Sequence, residues 1–332
     1  MHRLEYTKNI ANGGVVTIAV TILLSALFWF LPVYVFPEDC PPVISRFMGI
    51  ELFSIPFGVS RVLAFVFWLA IWFIVNDKCE KAHIIPVRSI MPLVIGMAVV
   101  SAIPQLQYFD FGMIAFLFFL SALMTIFNLY TVSNQVNESF RAIFFILISS
   151  LFVPEYIWMF VLFFLGLAVF KVRSSRIFIS ISVALLVFVW MVWGVCFVIG
   201  KVPLFYAYLA SLVDFNFFNY HGNVVHIAGL VLMFITMLIM IIAVIGISNK
   251  YDARVRLNRS FINMSFFFST ALMVAAKGFN TDLLMIVVLM ITLLSALYFS
   301  TQRSNFSNIL FLVVLVLLVA YRVADGLIKI EI

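Results

Sequence analysis

Long apolar runs separated by short polar intervals make up the whole chain. The runs are continuous rather than alternating, which favours helices and excludes a membrane β-barrel. A helix needs about 20 apolar residues to cross a hydrocarbon core about 30 Å thick. We therefore predict an all-α, polytopic transmembrane helix bundle that forms one integral-membrane domain over residues 1–332. The predicted spans are residues 15–36, 61–75, 89–103, 112–130, 141–152, 156–170, 177–200, 224–247, 261–276, 283–299 and 306–323, eleven in all.

The fifth and sixth spans share a stretch that is too long for one crossing and too short for two full ones. Between Arg141 and Lys171 lie 29 residues with a single charge, Glu155, directly after Pro154. Proline removes a backbone donor and disfavours helix at the preceding residue, and a carboxylate is costly in lipid. Two short helices that meet at a Pro-Glu turn near the far surface satisfy these constraints. The alternative is a single long, kinked and tilted helix.

Lysine and arginine are distributed unequally between alternate intervals. Short cytoplasmic loops carry an excess of both, and an N-terminus inside the cell places 14 of the 20 basic residues on the cytoplasmic side. A single span over 141–176 would move the later basic intervals outside, so the charges favour the two-helix interpretation with the C-terminus out. The acids show the opposite bias. Nine of the 14 fall outside: Glu38, Asp39, Glu51, Asp110, Glu155, Asp214, Asp282, Asp325 and Glu331.

Composition supports a membrane protein and excludes several function classes. Hydrophobic residues make up 65% of the chain and charged residues 10%, with a mean hydropathy of +1.21, whereas soluble chains carry about 25% charged residues. The net charge of +6 is mainly a topology signal, so we predict no nucleic-acid partner. The three cysteines have no metal-ligand spacing, and their odd number argues against a disulfide framework. We predict no cofactor, and nothing in the sequence supports a divalent cation.

Polar residues at the predicted outer boundary are the candidates for chemistry. Glu38 and Asp39 follow the first span directly, where a carboxylate can act as a general base or bind a divalent cation. Arg46, Arg61 and Lys277 are cations of the type that binds a phosphate. The alternatives are acids that cap a helix or stay solvated, and cations that reach the interface along an apolar stem.

Two further acids lie in aromatic turns between short predicted helices. Asp110 follows Tyr108, and Glu155 precedes Tyr156. Each turn comes after a short helix that ends near a proline, so residues 101–123 loosely echo 149–168. Acids in such turns either line a polar cavity or face water. His221 and His226 are spaced wrongly for one helix face, and we predict no metal site.

The order of these features resembles the GT-C class of integral-membrane glycosyltransferases. The resemblance is in the acidic pair after the first span and in the order Arg141, an apolar run, Pro-Glu-Tyr at 154–156, an apolar run and Lys171-Val-Arg173. It covers roughly residues 10–200. It implies transfer of a sugar from a polyprenyl-phosphate donor, with Asp39 or Glu38 as catalytic base and outer arginine or lysine on the lipid phosphate. The first outer interval is shorter than is usual for that class, and no globular domain follows.

More narrowly, the chain resembles an uncharacterised family of multi-span bacterial envelope proteins. This resemblance implies the bacterial cytoplasmic (inner) membrane but no activity, so the sequence leaves open whether the protein is an enzyme. A transferase of lipid-linked sugars would bind a polyprenyl-phosphate-linked saccharide. A transporter or flippase would line a route with the broken helices at 89–130 and 141–170. A non-catalytic scaffold would have a membrane-protein partner. No charged residue lies in the middle of a predicted span, which weighs against ion-coupled transport.

Overall fold

The computed structural model describes residues 10, 13–35, 43–47, 50–130, 134–172, 174–212, 224–245, 252–275, 281–302 and 304–331. The α-helices in these residues are α1 Val15–Val35, α2 Phe57–Lys81, α3 Met91–Ala102, α4 Phe111–Asn128, α5 Gln135–Phe152, α6 Phe160–Val169, α7 Ser175–Val198, α8 Val202–Ser211, α9 Val224–Ile245, α10 Ala253–Ala275, α11 Thr281–Thr301 and α12 Asn305–Glu331. Two 3-10 helices, Pro104–Leu106 and Pro154–Met159, precede α4 and α6.

The bundle is helical, as predicted, apart from one short hairpin that the sequence analysis did not predict. Strands β1 (Val43–Phe47) and β2 (Ile50–Ile55) pair antiparallel, with Val43 opposite Ile55 and Phe47 opposite Ile50. β1 contacts α4 and α5. Both strands are too short, and contain too many polar residues, to resemble a membrane span. They are recognised by their backbone pairing and not by their composition.

Helix α11 forms the centre of the bundle. It packs against α3, α4, α9 and α10, and 94% of its span is buried within the protein. A helix that is apolar on every side is stable where protein or lipid covers every side, and for α11 the cover is other helices. By contrast, only 28% of the spans in α7 and α12 is buried, and residues such as Leu186 and Trp190 are exposed. An exposed apolar surface of this kind is what a lipid-facing helix presents.

Within the described ranges, five helices are long and apolar enough to cross a membrane: α2, α4, α7, α11 and α12. Shorter apolar helices include α3, α8 and the segment Pro154–Val169. These lengths and compositions indicate a membrane-embedded helical protein. The number of crossings and their orientation stay predictions.

The predicted break in the 141–176 stretch is confirmed. Helix α5 ends at Phe152, Val153 is extended (φ −130°, ψ 100°), and Pro154 opens a 3-10 helix. Tyr156 then contacts the start of α11, while Phe170 packs on Phe261 near the start of α10, with ring centroids 5.6 Å apart. Since α10 leads into α11, these contacts lie at opposite ends of the bundle. The stretch is therefore not one continuous helix, and a separate membrane crossing by each of its two helices stays a prediction.

Other predicted boundaries need correction. Helix α2 extends from 57 to 81 rather than 61–75, and α12 continues to 331 rather than ending at 323. Helix α10 begins at Ala253 instead of 261, so Arg254, Arg256 and Arg259, in an interval that we left between two spans, lie in its first two turns. Helix α8 lies in an interval that we left without a helix. At α2, α10 and α12, polar or aromatic residues continue the helix beyond its apolar part, and hydropathy alone does not register them. Helix α8 is a separate apolar helix of ten residues.

Candidate functional site

Two carboxylates meet over the backbone of Gly112, at the end of the bundle where α4 and α11 begin. Asp110 caps α4, and its Oδ1 accepts from the Met113 amide at 3.2 Å. Asp282 lies in the first turn of α11. A Cβ placed on Gly112 would lie 1.7 Å from Asp282 Oδ1 and 3.2 Å from Asp110 Oδ1. Only glycine leaves room for both carboxylates at this point.

The turn at Pro154 adds a phenol and a third carboxylate. The Tyr156 hydroxyl donates to the Asp282 carbonyl oxygen at 2.7 Å, and the fully buried Tyr156 ring packs on Phe119. The charges of Asp110 and Glu155 both act on Asp282. We call Asp110, Glu155 and Asp282 the carboxylate cluster. It joins three segments that are far apart in sequence at what the charge pattern predicts to be the outer end of the bundle.

Replacing Asp110 with asparagine is expected to stabilise the protein at about pH 8 and to have little effect at about pH 4. Burial raises the pKa of the Asp110 carboxyl to about 6. Its protonated form therefore favours the folded state below the unfolded pKa of about 3.9, and that stability is lost as the pH rises through about 6. Asparagine is an equally good helix cap. The gain should not exceed about 3 kcal/mol, at about 1.4 kcal/mol per pKa unit, because the side chain is only half-buried.

Unfolding in detergent at the two pH values measures this difference. Asp77→Asn, the same change at an exposed position on α2, controls for the amide itself. A stabilisation of Asp110→Asn that is equal at both pH values would contradict the burial of a charged carboxylate.

A second polar group lies inside the same end of the bundle. The Arg61 Nη2 donates to Gln107 Oε1 at 2.8 Å, and the Arg322 Nη2 donates to the same oxygen at 3.3 Å. The Arg61 guanidinium also donates to the Trp29 carbonyl. Exposure is 4% for Arg61, 8% for Arg322 and 0% for Gln107. We call Arg61 and Arg322 the guanidinium pair.

Two like charges that share one neutral acceptor repel each other. At a separation of about 4 Å and an effective dielectric constant of about 20, two unit charges interact with about 4 kcal/mol. Gln107 offsets part of this repulsion, and its Nε2 is itself held by the Ser101 carbonyl at 2.7 Å. The pair is therefore a buried cationic group that Gln107 links by hydrogen bonds to both guanidinium groups.

The segment between α3 and α4, which contains the 3-10 helix Pro104–Leu106, holds both groups in place. Helix α3 ends at Ala102, before Pro104, and the chain then continues beside α2. The Trp68 Nε1 donates to the Leu106 carbonyl at 2.9 Å, and the Ser60 Oγ accepts from the Phe109 amide at 2.8 Å. Irregular backbone at membrane depth is stable only when its polar groups find partners within the protein. Helix α2 supplies these partners. It therefore fixes the backbone that carries Gln107 and, three residues later, Asp110.

The structure brings together some of the predicted site residues and leaves others undescribed. Asp110 and Glu155 both belong to the carboxylate cluster, and Arg61 belongs to the guanidinium pair. Arg46 lies in β1, with its side chain outside the described residues. Glu38, Asp39 and Lys277 also lie outside them, as do the side chains of the candidate histidines and Asp214. Among the residues whose positions are described, no group of three acids, histidines or cysteines could hold a metal ion.

Three residues of these two groups were not among the predicted site residues: Asp282, Gln107 and Arg322. Asp282 had a signal, because it stands at the start of an apolar run and counts among the outer acids. Arg322 also had one, as a lone cation near the end of the last apolar run. No sequence pattern marked Gln107, apart from its place in a polar interval.

The GT-C resemblance rests on the residues quoted for it and stays a prediction. No family model, curated protein or solved structure matches this chain.

Proposed function

We propose that the protein transfers a sugar from a polyprenyl-phosphate donor at the outer face of the bacterial cytoplasmic membrane. One observation supports this function above the others: the carboxylate cluster and the guanidinium pair lie at the same end of the bundle, joined by residues 107–110. Such a transfer needs a base for the acceptor and a cation for the departing phosphate. The proposal includes eleven crossings with the N-terminus in the cytoplasm.

The proposed transfer is a displacement at the anomeric carbon of the sugar. A carboxylate accepts the proton of the acceptor hydroxyl while the acceptor oxygen forms a bond to the anomeric carbon of the sugar. The bond from that carbon to the phosphate oxygen breaks, and the phosphate leaves with the electron pair. Asp110, with its pKa raised to about 6, lies in the range that suits a general base near neutral pH. The resemblance nominates Asp39 or Glu38 for the same role.

Packing in the middle of the bundle favours a fixed site over a transport route. Trp68 and Trp72 on α2 stack with ring centroids 6.1 Å apart, and Trp68 also packs on Phe116 of α4. All three are fully buried. Aromatic rings packed in this way would have to separate for a substrate to pass, so we place the transporter or flippase second to the transferase.

Release of polyprenyl phosphate tests the transferase directly. The full chain in lipid nanodiscs is incubated with a glycosyl phosphopolyprenol and an acceptor glycan, and the freed lipid phosphate is measured by mass spectrometry. We expect turnover by the wild type and a loss of at least about 100-fold in Asp110→Asn or in Asp39→Asn, the range of general-base catalysis. The matched control is Asp77→Asn at the opposite end of α2. Equal turnover by all four proteins would overturn the proposal.

A further inference from the structure

An apolar groove runs along α3 between α1 and α12. It encloses about 310 Å³, a size within the range of small-ligand sites. Its lining residues include Leu24 and Phe28 of α1, Ala98 of α3, and Leu315 and Val319 of α12. Leu24 and Val319 are exposed, so the groove opens on the side of the bundle that faces lipid. None of the described residues that line it carries a charge, and the lining therefore fits an apolar chain.

The length of the groove matches the thickness of one bilayer leaflet. On α1 the lining extends from Thr17 to Phe28, which is about 16 Å at about 1.5 Å per residue. On α12 it extends from Phe311 to Val319, which is about 12 Å at the same rise. A hydrocarbon core about 30 Å thick gives each leaflet about 15 Å. One acyl chain of a membrane lipid fills that depth, so a single chain is long enough to occupy the groove.

Ser101 of α3 gives a second, independent sign of a ligand. This lining residue is 2% exposed, and its Oγ has no hydrogen-bond partner among the residues that the structure describes. A serine inside a helix can donate to a carbonyl of the preceding turn. The equally buried Ser149 and Ser150 of α5 do so at 2.7 Å. A buried hydroxyl without a partner is costly, so an acceptor on a molecule in the groove would satisfy Ser101.

The position of Ser101 indicates which kind of acceptor reaches it. Ser101 is the next-to-last residue of α3, and the groove extends from it along α3 past Ala98 to Val94. An acceptor at Ser101 therefore lies where a chain in the groove begins. A phosphate at this point would need cations to replace its water, and the described lining offers none. The ester carbonyl of a glycerolipid is a neutral acceptor and stands at the head of its acyl chain.

We propose that the groove binds one acyl chain of a glycerophospholipid and that the Ser101 hydroxyl donates to the ester carbonyl of that chain. The chain lies between α1 and α12 and packs on Ala98 of α3. The second acyl chain and the headgroup stay in the surrounding bilayer. The bound chain fills the space between α1 and α12 and so completes the packing on this side of the bundle. This lipid site does not depend on the proposed transfer of a sugar.

Lipid binding to the full chain in detergent, followed by native mass spectrometry, tests the acceptor. The probes are a diacyl phosphatidylethanolamine, the dialkyl ether with the same headgroup and chain lengths, and polyprenyl phosphate. We expect the diacyl lipid to bind about tenfold more tightly than the ether, because the ether has no carbonyl for the buried hydroxyl. Equal binding of the ester and the ether would overturn the hydrogen bond. Displacement of the diacyl lipid by an equal amount of polyprenyl phosphate would overturn the glycerophospholipid as the occupant.

Ser101→Ala tests the hydroxyl through two opposite effects. Without lipid, the variant lacks an unsatisfied polar atom and is expected to melt at a higher temperature than the wild type. With lipid, it is expected to bind the ester and the ether equally. The matched control is Ser149→Ala, which removes a hydroxyl that is bonded within α5 and should keep the preference for the ester. A preference for the ester that survives in Ser101→Ala would contradict the assignment.

Ala98→Phe tests the groove itself. The phenyl ring takes the space of the acyl chain, so we expect binding of the diacyl lipid to weaken by about tenfold or more. The matched control is Ala19→Phe, the same change at an exposed position of α1 that is not a lining residue. Unchanged binding in Ala98→Phe, or an equal loss in both variants, would exclude the groove as the binding site.

Discussion

Gly96→Ala is expected to lower the free energy of unfolding by about 3 kcal/mol, near the upper end for an overpacked core. A Cβ at this position of α3 would lie 2.3, 2.4 and 2.5 Å from three ring atoms of Trp72. Trp72 is fully buried and stacks on Trp68, so its ring cannot move aside without disturbing α2. Denaturant titration of the protein in detergent measures the change.

Gly194→Ala is the matched control. Gly194 also lies in a helix, α7, but a Cβ there would meet no atom within 4 Å. Glycine inside a helix is less stable than alanine by about 0.5–1 kcal/mol, so this variant is expected to be more stable than the wild type. Similar effects of the two substitutions would contradict the close approach of α2 and α3.

Gln107→Leu is expected to destabilise the protein by about 3 kcal/mol or more. The change removes an acceptor shared by two charged donors, and hydrogen bonds to charged groups each contribute about 1.5–3 kcal/mol. It also removes the donor to the Ser101 carbonyl. The part of the repulsion within the guanidinium pair that Gln107 offsets then returns. Thermal unfolding in detergent gives the size of the effect.

Gln105→Leu controls for this substitution two residues away. Gln105 lies in the 3-10 helix of the same segment, and its Oε1 is buried without a hydrogen-bond partner among the described residues. Replacing it with leucine removes an unsatisfied polar atom, so a neutral or stabilising effect is expected. If Gln105→Leu destabilised the protein as strongly as Gln107→Leu, the bonds to Arg61 and Arg322 would not be the cause.

Local features of the fold follow directly from the sequence. The break at Val153 was predictable because proline acts on its neighbours in the chain, whatever surrounds them. The same rule gives the extended Ile103 before Pro104, with φ −101° and ψ 106°. Alternating spans also predicted that Asp110 and Glu155 share one end of the bundle, and the charges of both act on Asp282 at the start of α11. Hydropathy located the apolar helices but misplaced the ends of α2, α10 and α12, whose terminal turns are polar.

The long-range contacts of the candidate site depend on the tertiary structure. Arg322 and Gln107 are separated by 215 positions, and Tyr156 and the Asp282 carbonyl by 126. No local pattern specifies such pairs, because they depend on which helices pack around α11. Composition and the 3.6-residue period place each residue on a helix and at a depth in the membrane. Which faces meet is set by shape, as where Gly112 leaves space for Asp282, and that shape exists only once the helices are packed.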